Sequence, residues 1–271
     1  MARRLVVNAD DFGFTRGVNE GIVEAHQRGI LTSATLMANG SEFDHAVSLA
    51  RRIPSLDVGC HLVLIGGEAV AEPGRPLPSS IPELLRAMAW GRIDVHAELT
   101  AQVRKILAAG IPATHLDTHK HTHLAPPVLG AVARISREFG IPWVRRPFDL
   151  PIFAGRQAAP WRMRAAARAL PALRGKFDRV LAEYGCRTTD HFAGFLATGR
   201  FHTAELAELI RSLPVGTTEL MCHPGFCTAE LLAASTRLKE SRERELEALI
   251  APETRQALGE AAVELVDYRQ L

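Results

Sequence analysis

The 271-residue chain has no long apolar run, no long polar tract and no large excess of charge of either sign. No stretch approaches the roughly 20 apolar residues that a membrane span needs, and the apolar run near the amino end is too short for the core of a signal peptide. The formal net charge of +2 is too small to indicate binding to nucleic acid. We therefore expect a soluble protein of the cytoplasm.

Cysteine is also scarce. The chain has four cysteines, and their spacing does not match that of a zinc ribbon. Because Cys60 and Cys222 lie in apolar, strand-like runs, we interpret the cysteines as reduced thiols in a reducing compartment. Apolar residues make up 47% of the chain and charged residues 23%, a balance that argues against disorder.

Short apolar runs with strand character alternate with helical patterns along the chain. The predicted strands lie within residues 3–13, 32–37, 57–65, 113–119, 142–146, 191–195, 218–222 and 263–268. A chain of this length could form two small domains or one large α/β barrel. Because seven or eight strand–helix units follow one another, the pattern favours a single (β/α) barrel over residues 1–271, regular or distorted, over an open doubly wound sheet.

The segment His115–His123 carries four histidines and one aspartate at alternate positions. If this stretch continued a strand, all five side chains would project to one side, because successive side chains of a strand point to opposite faces. Such a dense polar face is costly to bury unless a cation or a hydrogen-bond network satisfies it. The segment therefore predicts either a metal site or a histidine-rich surface strand or loop.

Two other segments offer metal-binding side chains. Asp10 and Asp11 end the first apolar run, where they could divide into one metal ligand and one base, or where one of them could cap the next helix. His61 lies inside an apolar run, either as a ligand or as a satisfied core histidine. With His119, these segments supply the set of two histidines and one carboxylate that leaves coordination positions open.

Nine polar residues fall at or just beyond the carboxyl ends of predicted strands, which is the edge where barrel enzymes build their active sites. They are Asp10, Asp11, Asn39, His61, Asp117, His119, Arg145, Arg146 and His223. Structural histidines have no reason to collect at this edge, so the distribution favours a metal-dependent enzyme.

The runs Asn8–Gly13, Gly59–Leu62, Thr114–His119 and Cys222–Gly225 resemble those of the YdjC-like carbohydrate deacetylases, in the right order and over nearly the whole chain. The resemblance implies a (β/α) barrel of the glycoside hydrolase/deacetylase type. It also implies one divalent metal ion, with zinc and magnesium the leading candidates, and removal of acetyl groups from N-acetylated sugars.

The same resemblance implies roles for single residues. Asp11, His61 and His119 would bind the metal, and Asp10 would be the general base. His223 would be the general acid or the partner of the oxyanion, although its ring could instead cap the Pro224–Gly225 turn. The histidines at 121 and 123 lie beyond the matched ligand and are expected in a loop or around the site.

Further polar residues are candidates for holding the ligands or contacting the substrate. We expect Asp117 to hold a ligand histidine or an arginine in place. Arg145 and Arg146 either orient the acids or a sugar oxygen, or form salt bridges elsewhere. His191, next to Asp190, either supports the site or makes a hydrogen bond at a strand start. His115 and Asn39 complete this group.

The region 150–180 carries a basic insertion in which no acidic residue occurs between Leu150 and Phe177. Its basic residues are Arg156, Arg162, Arg164, Arg168, Arg174 and Lys176. Together with Trp161 they suit either a solvated helical lid or peripheral contact with an anionic membrane surface. A subgroup of the same family is associated with hopanoid biosynthesis, and resemblance to it implies a lipid-linked substrate, an N-acetylglucosaminyl hopanoid, met at the inner face of the membrane.

Two rival classes stay open at this point. A metal-independent glycoside hydrolase would need two carboxylates about 5 to 9 Å apart across the sugar, and a non-catalytic protein would only bind sugar or metal. The oligomeric state is also open, with a homodimer as one option.

Overall fold

The computed structural model describes residues 2–150 and 170–271. Its eight strands form one sheet in which all pairings are parallel. The strands are β1 (Arg3–Phe12), β2 (Ser33–Leu36), β3 (Asp57–Leu62), β4 (His115–Thr118), β5 (Trp143–Val144), β6 (His191–Ala193), β7 (Gly216–Cys222) and β8 (Val263–Leu265). Their order is β5-β4-β3-β2-β1-β7-β6, and β8 pairs with the start of β1.

The two ends of this sheet meet through irregular backbone contacts. Asp149, beyond β5, forms a parallel bridge with Phe192 in β6, and the amide of Leu150 donates to the carbonyl of Phe192 at 2.9 Å. A second bridge joins Trp143 to Arg187. The sheet is therefore curled and distorted, and the predicted α/β barrel type of fold is confirmed.

Ten α-helices of the described residues connect or follow the strands. They are α1 (Arg16–Arg28), α2 (Phe43–Arg52), α3 (Ile81–Ala89), α4 (Val95–Ala108), α5 (Pro126–Phe139), α6 (Pro171–Glu183), α7 (Thr203–Arg211), α8 (Ala229–Ala233), α9 (Glu240–Ile250) and α10 (Pro252–Glu260). Within residues 2–150 and 170–271, none of them has the length and apolar content to cross a membrane.

The helix boundaries follow from local chemistry. The side chains of Thr15, Ser80 and Asp94 accept hydrogen bonds from the backbone amides that begin α1, α3 and α4, which satisfies donors that a helix start leaves free. At the end of α5, Gly140 adopts a φ of 65°, a left-handed conformation that glycine reaches without strain. The sequence predicts helices around residues 17–28, 43–52 and 126–139 from their apolar spacing, and these segments form α1, α2 and α5.

One of the conformations considered for His115–His123, a continued strand, does not occur. β4 ends at Thr118, and residues His119–Leu124 form a 3-10 turn in which Lys120 and His121 have φ values of 55° and 51°. Because the chain leaves the extended conformation here, the alternate side chains from His115 to His123 do not share one face. No glycine marks the turn, so the sequence gives no sign of it.

The amino end of the barrel is covered by a second 3-10 turn, Tyr268–Gln270. The Tyr268 ring is buried and stacks on His115, with ring centroids 3.9 Å apart. The amide of Tyr268 donates to Asp57 Oδ2 at 3.0 Å, which ties the turn to the first residue of β3.

Most of the predicted basic insertion, residues 151–169, lies outside the described residues. Its last part is described, as helix α6, which carries Arg174 and Lys176. Arg174 lies 3.6 Å from Asp178 on the same helix.

Candidate functional site

Two adjacent acids lie where β1 ends. Neighbouring strand residues normally point to opposite faces, but the pairing of β1 with β2 shifts register between Ala9 and Phe12. Within this irregularity Asp11 adopts a φ of 68°, in the left-handed region that non-glycine residues rarely occupy. The break in alternation brings both Asp10 and Asp11 to the same buried cluster.

Three side-chain atoms form a nearly equilateral triangle at this cluster. Asp11 Oδ1 lies 3.3 Å from His61 Nε2 and 3.2 Å from His119 Nδ1, and the two histidine nitrogens are 3.2 Å apart. Ligands of a tetrahedral zinc ion at about 2.0–2.2 Å would be roughly 3.3–3.6 Å from one another. Among the described residues, the buried Asp11 Oδ1 has no hydrogen-bond partner. The three residues therefore fit a metal ion.

His61 is held by groups on two neighbouring strands. Its Nδ1 lies 2.7 Å from Asp117 Oδ1 and 3.3 Å from the hydroxyl of Thr35, which leaves Nε2 directed at the triangle. A carboxylate on the far nitrogen of a metal-binding histidine fixes its tautomer and orientation. Burial lowers the pKa of His61, but the charges of Asp117 and Asp10 outweigh it and raise this pKa to about 10.

Arg145 contacts three buried acids at once. Its guanidinium contacts both oxygens of Asp10 at 2.7 and 2.8 Å, Asp117 at 2.7 Å and Glu219 at 2.6 Å. Burial raises the pKa of Asp10, but the neighbouring Arg145 outweighs it and holds this pKa well below its ordinary value. Asp10 is therefore ionised at neutral pH.

A second buried arginine, Arg242 of α9, contacts Asp11 Oδ2 through Nη2 at 2.5 Å. Arg145 and Arg242 together contact four buried carboxylates, namely Asp10, Asp11, Asp117 and Glu219. Against these four carboxylates the arginines supply two positive charges, and the raised pKa of His61 adds a proton when no metal is bound. A divalent cation that displaced this proton would balance the remaining charge of the buried carboxylates.

His223 follows β7 and lies near Asp10. Its Nε2 is 3.8 Å from Asp10 Oδ2 and its Nδ1 is 4.0 Å from Glu245, and its backbone amide donates to Glu245 Oε2 at 2.6 Å. Burial lowers the pKa of His223 to about 4, against the opposing charges of Asp10 and Asp11. The imidazole is therefore neutral near pH 7 and offers one N–H for donation.

Four predicted residues lie away from the triangle. His115 Nε2 contacts Asn8 Oδ1 at 2.9 Å inside the barrel, whereas Arg146 donates to the carbonyls of Thr189 and Asp190. His191 contacts the carbonyl of Val215 at 3.1 Å at the amino end of β6. Asn39 donates to the carbonyls of Gly66 and Glu68 and so fixes the loop after β3.

His121 and His123 lie in the 3-10 turn after β4. His123 is hydrogen-bonded through Nδ1 to the hydroxyl of Thr118 at 2.5 Å and through Nε2 to the carbonyl of Arg145 at 3.1 Å. The His121 ring is buried against Phe192 and Phe195. Neither belongs to the triangle of ligand atoms, in line with their expected place in a loop.

Sequence reasoning missed three functional candidates. Glu219 could have been found, because it is the one acid within the apolar run 218–222. Arg242 and Glu245 could not, because they belong to a helix rich in alternating charges, a pattern typical of solvent-exposed helices. Only the docking of α9 against the mouth of the barrel buries them.

The curled parallel sheet carries two histidines, a carboxylate and an adjacent acid at its carboxyl edge, which is a candidate metal site in a barrel-like fold. The family model for the YdjC-like protein matches residues 4–260. The chain therefore belongs to the YdjC-like family.

Curated relatives cover the whole chain. A carbohydrate deacetylase from Brevibacillus brevis is 34% identical over 282 residues, with 99% of each chain covered. A chitooligosaccharide deacetylase from Serratia marcescens is 31% identical, with 100% of each covered. A solved structure from Enterococcus faecalis, described as a candidate cellobiose-phosphate cleavage protein, superposes with a TM-score of 0.78. It is 24% identical and covers 100% of this chain and 99% of its own, so it supports the fold.

Proposed function

We propose that this protein is a metal-dependent hydrolase that removes the N-acetyl group from an acetylated amino sugar. The observation that carries the proposal is the triangle of Asp11, His61 and His119 atoms with the ionised Asp10 beside it. The names of the deacetylase relatives support the substrate class.

In this proposal Asp11, His61 and His119 hold one divalent ion, zinc or magnesium. Bound there, the ion would polarise the amide carbonyl and lower the pKa of a water molecule. Asp10 removes the proton from the attacking water, because its carboxylate is ionised and fixed by Arg145. Asp117 keeps His61 in its ligand orientation.

The neutral His223 acts through its one N–H, which on Nε2 faces Asp10 and the site and stabilises the negative oxygen of the tetrahedral intermediate. Asp10 then gives the proton that it has taken from the water to the departing amine. Glu245 holds the backbone of His223 during this transfer.

The central test is an acetate-release assay with metal-reconstituted protein on N-acetylglucosamine, free and as oligosaccharide. We expect release that EDTA abolishes and that added zinc or another divalent ion restores. Asp10→Asn should lower turnover by about 100-fold or more, the scale of a lost general base, while the protein keeps its metal. EDTA-resistant cleavage of the glycosidic bond would instead support a glycoside hydrolase. Sugar binding without acetate release, unchanged in Asp10→Asn, would support a non-catalytic module.

The geometry also speaks against the glycoside hydrolase. Such an enzyme needs two carboxylates about 5 to 9 Å apart on opposite sides of the sugar. Here Asp10 and Asp11 are sequence neighbours at one strand end, and each is paired with its own arginine.

A lipid-linked substrate, an N-acetylglucosaminyl hopanoid, is the narrower form of the proposal. Its support is the resemblance to the hopanoid-associated subgroup and the basic region 150–180 with Trp161. Replacing Arg162, Arg164 and Arg168 by Glu should weaken sedimentation with anionic liposomes and activity on a lipid glycoside, while activity on a soluble sugar stays intact. Unchanged sedimentation would contradict peripheral membrane contact.

Residues 1–271 would act as one catalytic domain with the basic region as an insertion. The protein would work in the cytoplasm, at the inner face of the membrane for a lipid glycoside. The four cysteines are free in the structure, which suits a reducing compartment.

A further inference from the structure

We propose that Arg242 is a positioning residue that fixes Asp11 as a ligand through a single oxygen. The inference rests on the proposed metal site and extends it to a residue of α9, far from the ligands in sequence. It explains how two adjacent acids are assigned to two different tasks.

The two arginines of the site hold the two acids differently. Arg145 contacts both oxygens of Asp10, at 2.7 and 2.8 Å, so one guanidinium holds the whole carboxylate. Arg242 contacts only Oδ2 of Asp11, at 2.5 Å, and leaves Oδ1 facing His61 and His119. The pattern of contacts thus selects which acid presents an oxygen to the metal.

Arg242 is itself held in place. Its side chain is almost completely buried, and its Nε donates to the carbonyl of Leu238 at 3.3 Å. A Cβ on Gly225 would lie 3.3 Å from Arg242 Cδ, tighter than most such contacts, so this glycine leaves room for the arginine stem. The amide of Gly225 also donates to the carbonyl of Arg242 at 3.3 Å.

The backbone of Asp11 requires such support. Its φ of 68° is unfavourable for a residue with a side chain, and strained conformations persist when the surrounding structure over-determines them. A buried, charge-assisted hydrogen bond of 2.5 Å to Oδ2 is a constraint of that kind. Arg242 therefore fixes both the orientation of the carboxylate and the direction of its free oxygen.

The test compares Arg242→Gln and Arg242→Lys with Arg244→Gln, which removes an exposed arginine from the same helix. Affinity of the apo protein for Zn²⁺ is measured by competition with a chromophoric chelator, and the coordination geometry by the visible spectrum of the Co²⁺ form. If Arg242 positions Asp11, Arg242→Gln should lose about 10- to 100-fold in Zn²⁺ affinity, the usual effect of removing a group that orients a ligand. Its Co²⁺ spectrum should change, and Arg244→Gln should behave like the wild type.

The sign of the effect separates positioning from simple charge. Removing a positive charge beside a cation site would tighten Zn²⁺ binding if Arg242 acted only through its charge. Tighter or unchanged binding by folded Arg242→Gln would therefore overturn the proposal. A purely structural role would lower the melting temperature and leave both metal readouts unchanged, which also overturns it.

Arg242→Lys keeps the test decisive if the glutamine variant does not fold. Lysine keeps the charge but cannot bond Leu238 and Asp11 with one planar group, so we expect an intermediate loss of Zn²⁺ affinity. Wild-type affinity in Arg242→Lys would contradict the inference. If the wild-type protein itself bound no Zn²⁺ and released no acetate, the proposed function would fail instead, and the two failures are distinguishable.

Discussion

Asp57, the first residue of β3, is buried at the amino end of the barrel. Its Oδ1 accepts a hydrogen bond from the hydroxyl of Thr114 at 2.8 Å, and its Oδ2 accepts one from the amide of Tyr268 at 3.0 Å. Burial is nevertheless the largest influence, and it raises the pKa of Asp57 from the ordinary value of 3.8 to about 6. Between about pH 4 and pH 6, Asp57 is therefore largely protonated in the folded protein and largely ionised in the unfolded chain.

This difference makes stability depend on pH. Between about pH 4 and pH 6 the folded state binds more protons than the unfolded state, so the free energy of unfolding should fall as pH rises through this window. A shift of about two pKa units corresponds to at most about 3 kcal/mol. Asp57→Asn cannot ionise, so urea unfolding of this variant at pH 4, 5, 6 and 7 should lack that loss.

The difference between the wild type and Asp57→Asn at each pH cancels the titration of the other groups. Glu247→Gln, an exposed change on α9, should keep the pH slope of the wild type. Parallel pH profiles for the wild type and Asp57→Asn would show that Asp57 keeps an ordinary pKa in the folded protein.

At the same scale, the sequence indicated the candidate ligands more readily than the residues that hold them. Asp11 and His119 lie at the ends of predicted strands, His61 lies inside an apolar run, and all three belong to segments that resemble the family. Arg242 was not recognisable, because its burial depends on how α9 docks, a long-range contact that no local pattern encodes. The same limit applies to Arg146 and His191, which the structure turns toward backbone carbonyls.

At the scale of elements, the packing of α1 on the loop after β7 depends on a close backbone approach. A Cβ on Gly21 of α1 would lie 2.4 Å from the Cα of Gly225, a distance at which something must shift. Since Gly225 is two residues beyond His223, the fit of α1 also sets the position of a candidate catalytic residue.

Gly21→Ala should therefore destabilise the protein by about 1–3 kcal/mol, the usual cost of overpacking. Gly130→Ala is the matched control, because Gly130 lies in α5 and a Cβ there would meet nothing within 4 Å. It should stabilise the protein by about 0.5–1 kcal/mol through its better helix propensity. Urea unfolding measures both changes, and equal effects of the two substitutions would contradict the close approach.

The elements themselves were largely predictable, since helices and buried strands have different apolar periods. Two of the exceptions share one physical cause. The turn at 119–124 and the irregularity at Asp10 and Asp11 depend on left-handed backbone at residues other than glycine. Such conformations are maintained by tertiary contacts, so the residues involved carry no local signal.

At the scale of the whole molecule, the turn Tyr268–Gln270 follows the last strand and packs on the amino end of the barrel. Tyr268 packs against Val6, Trp143 and Val266 and stacks on His115. Its contacts therefore connect the amino ends of strands that lie far apart in the sequence.

Tyr268→Ala should lower the free energy of unfolding by about 3 kcal/mol or more, as for other large buried rings. Tyr184→Ala, which removes a half-buried ring from beside Arg137, should cost clearly less. Because Tyr268 belongs to the turn at the amino end of the barrel and faces the site through Glu219, the folded variant should keep most of its Zn²⁺ affinity. Loss of Zn²⁺ affinity without loss of stability would contradict a role of Tyr268 in stability alone.

The shared guanidinium of Arg145 has a consequence for how this site tolerates change. Three acids from β1, β4 and β7 depend on the same cation, so replacing one of them alters the ionic environment of the other two. Substitutions at Asp10, Asp117 and Glu219 should accordingly be epistatic. A change that is tolerated at one of these positions would need a compensating change at another, so the three positions should vary together.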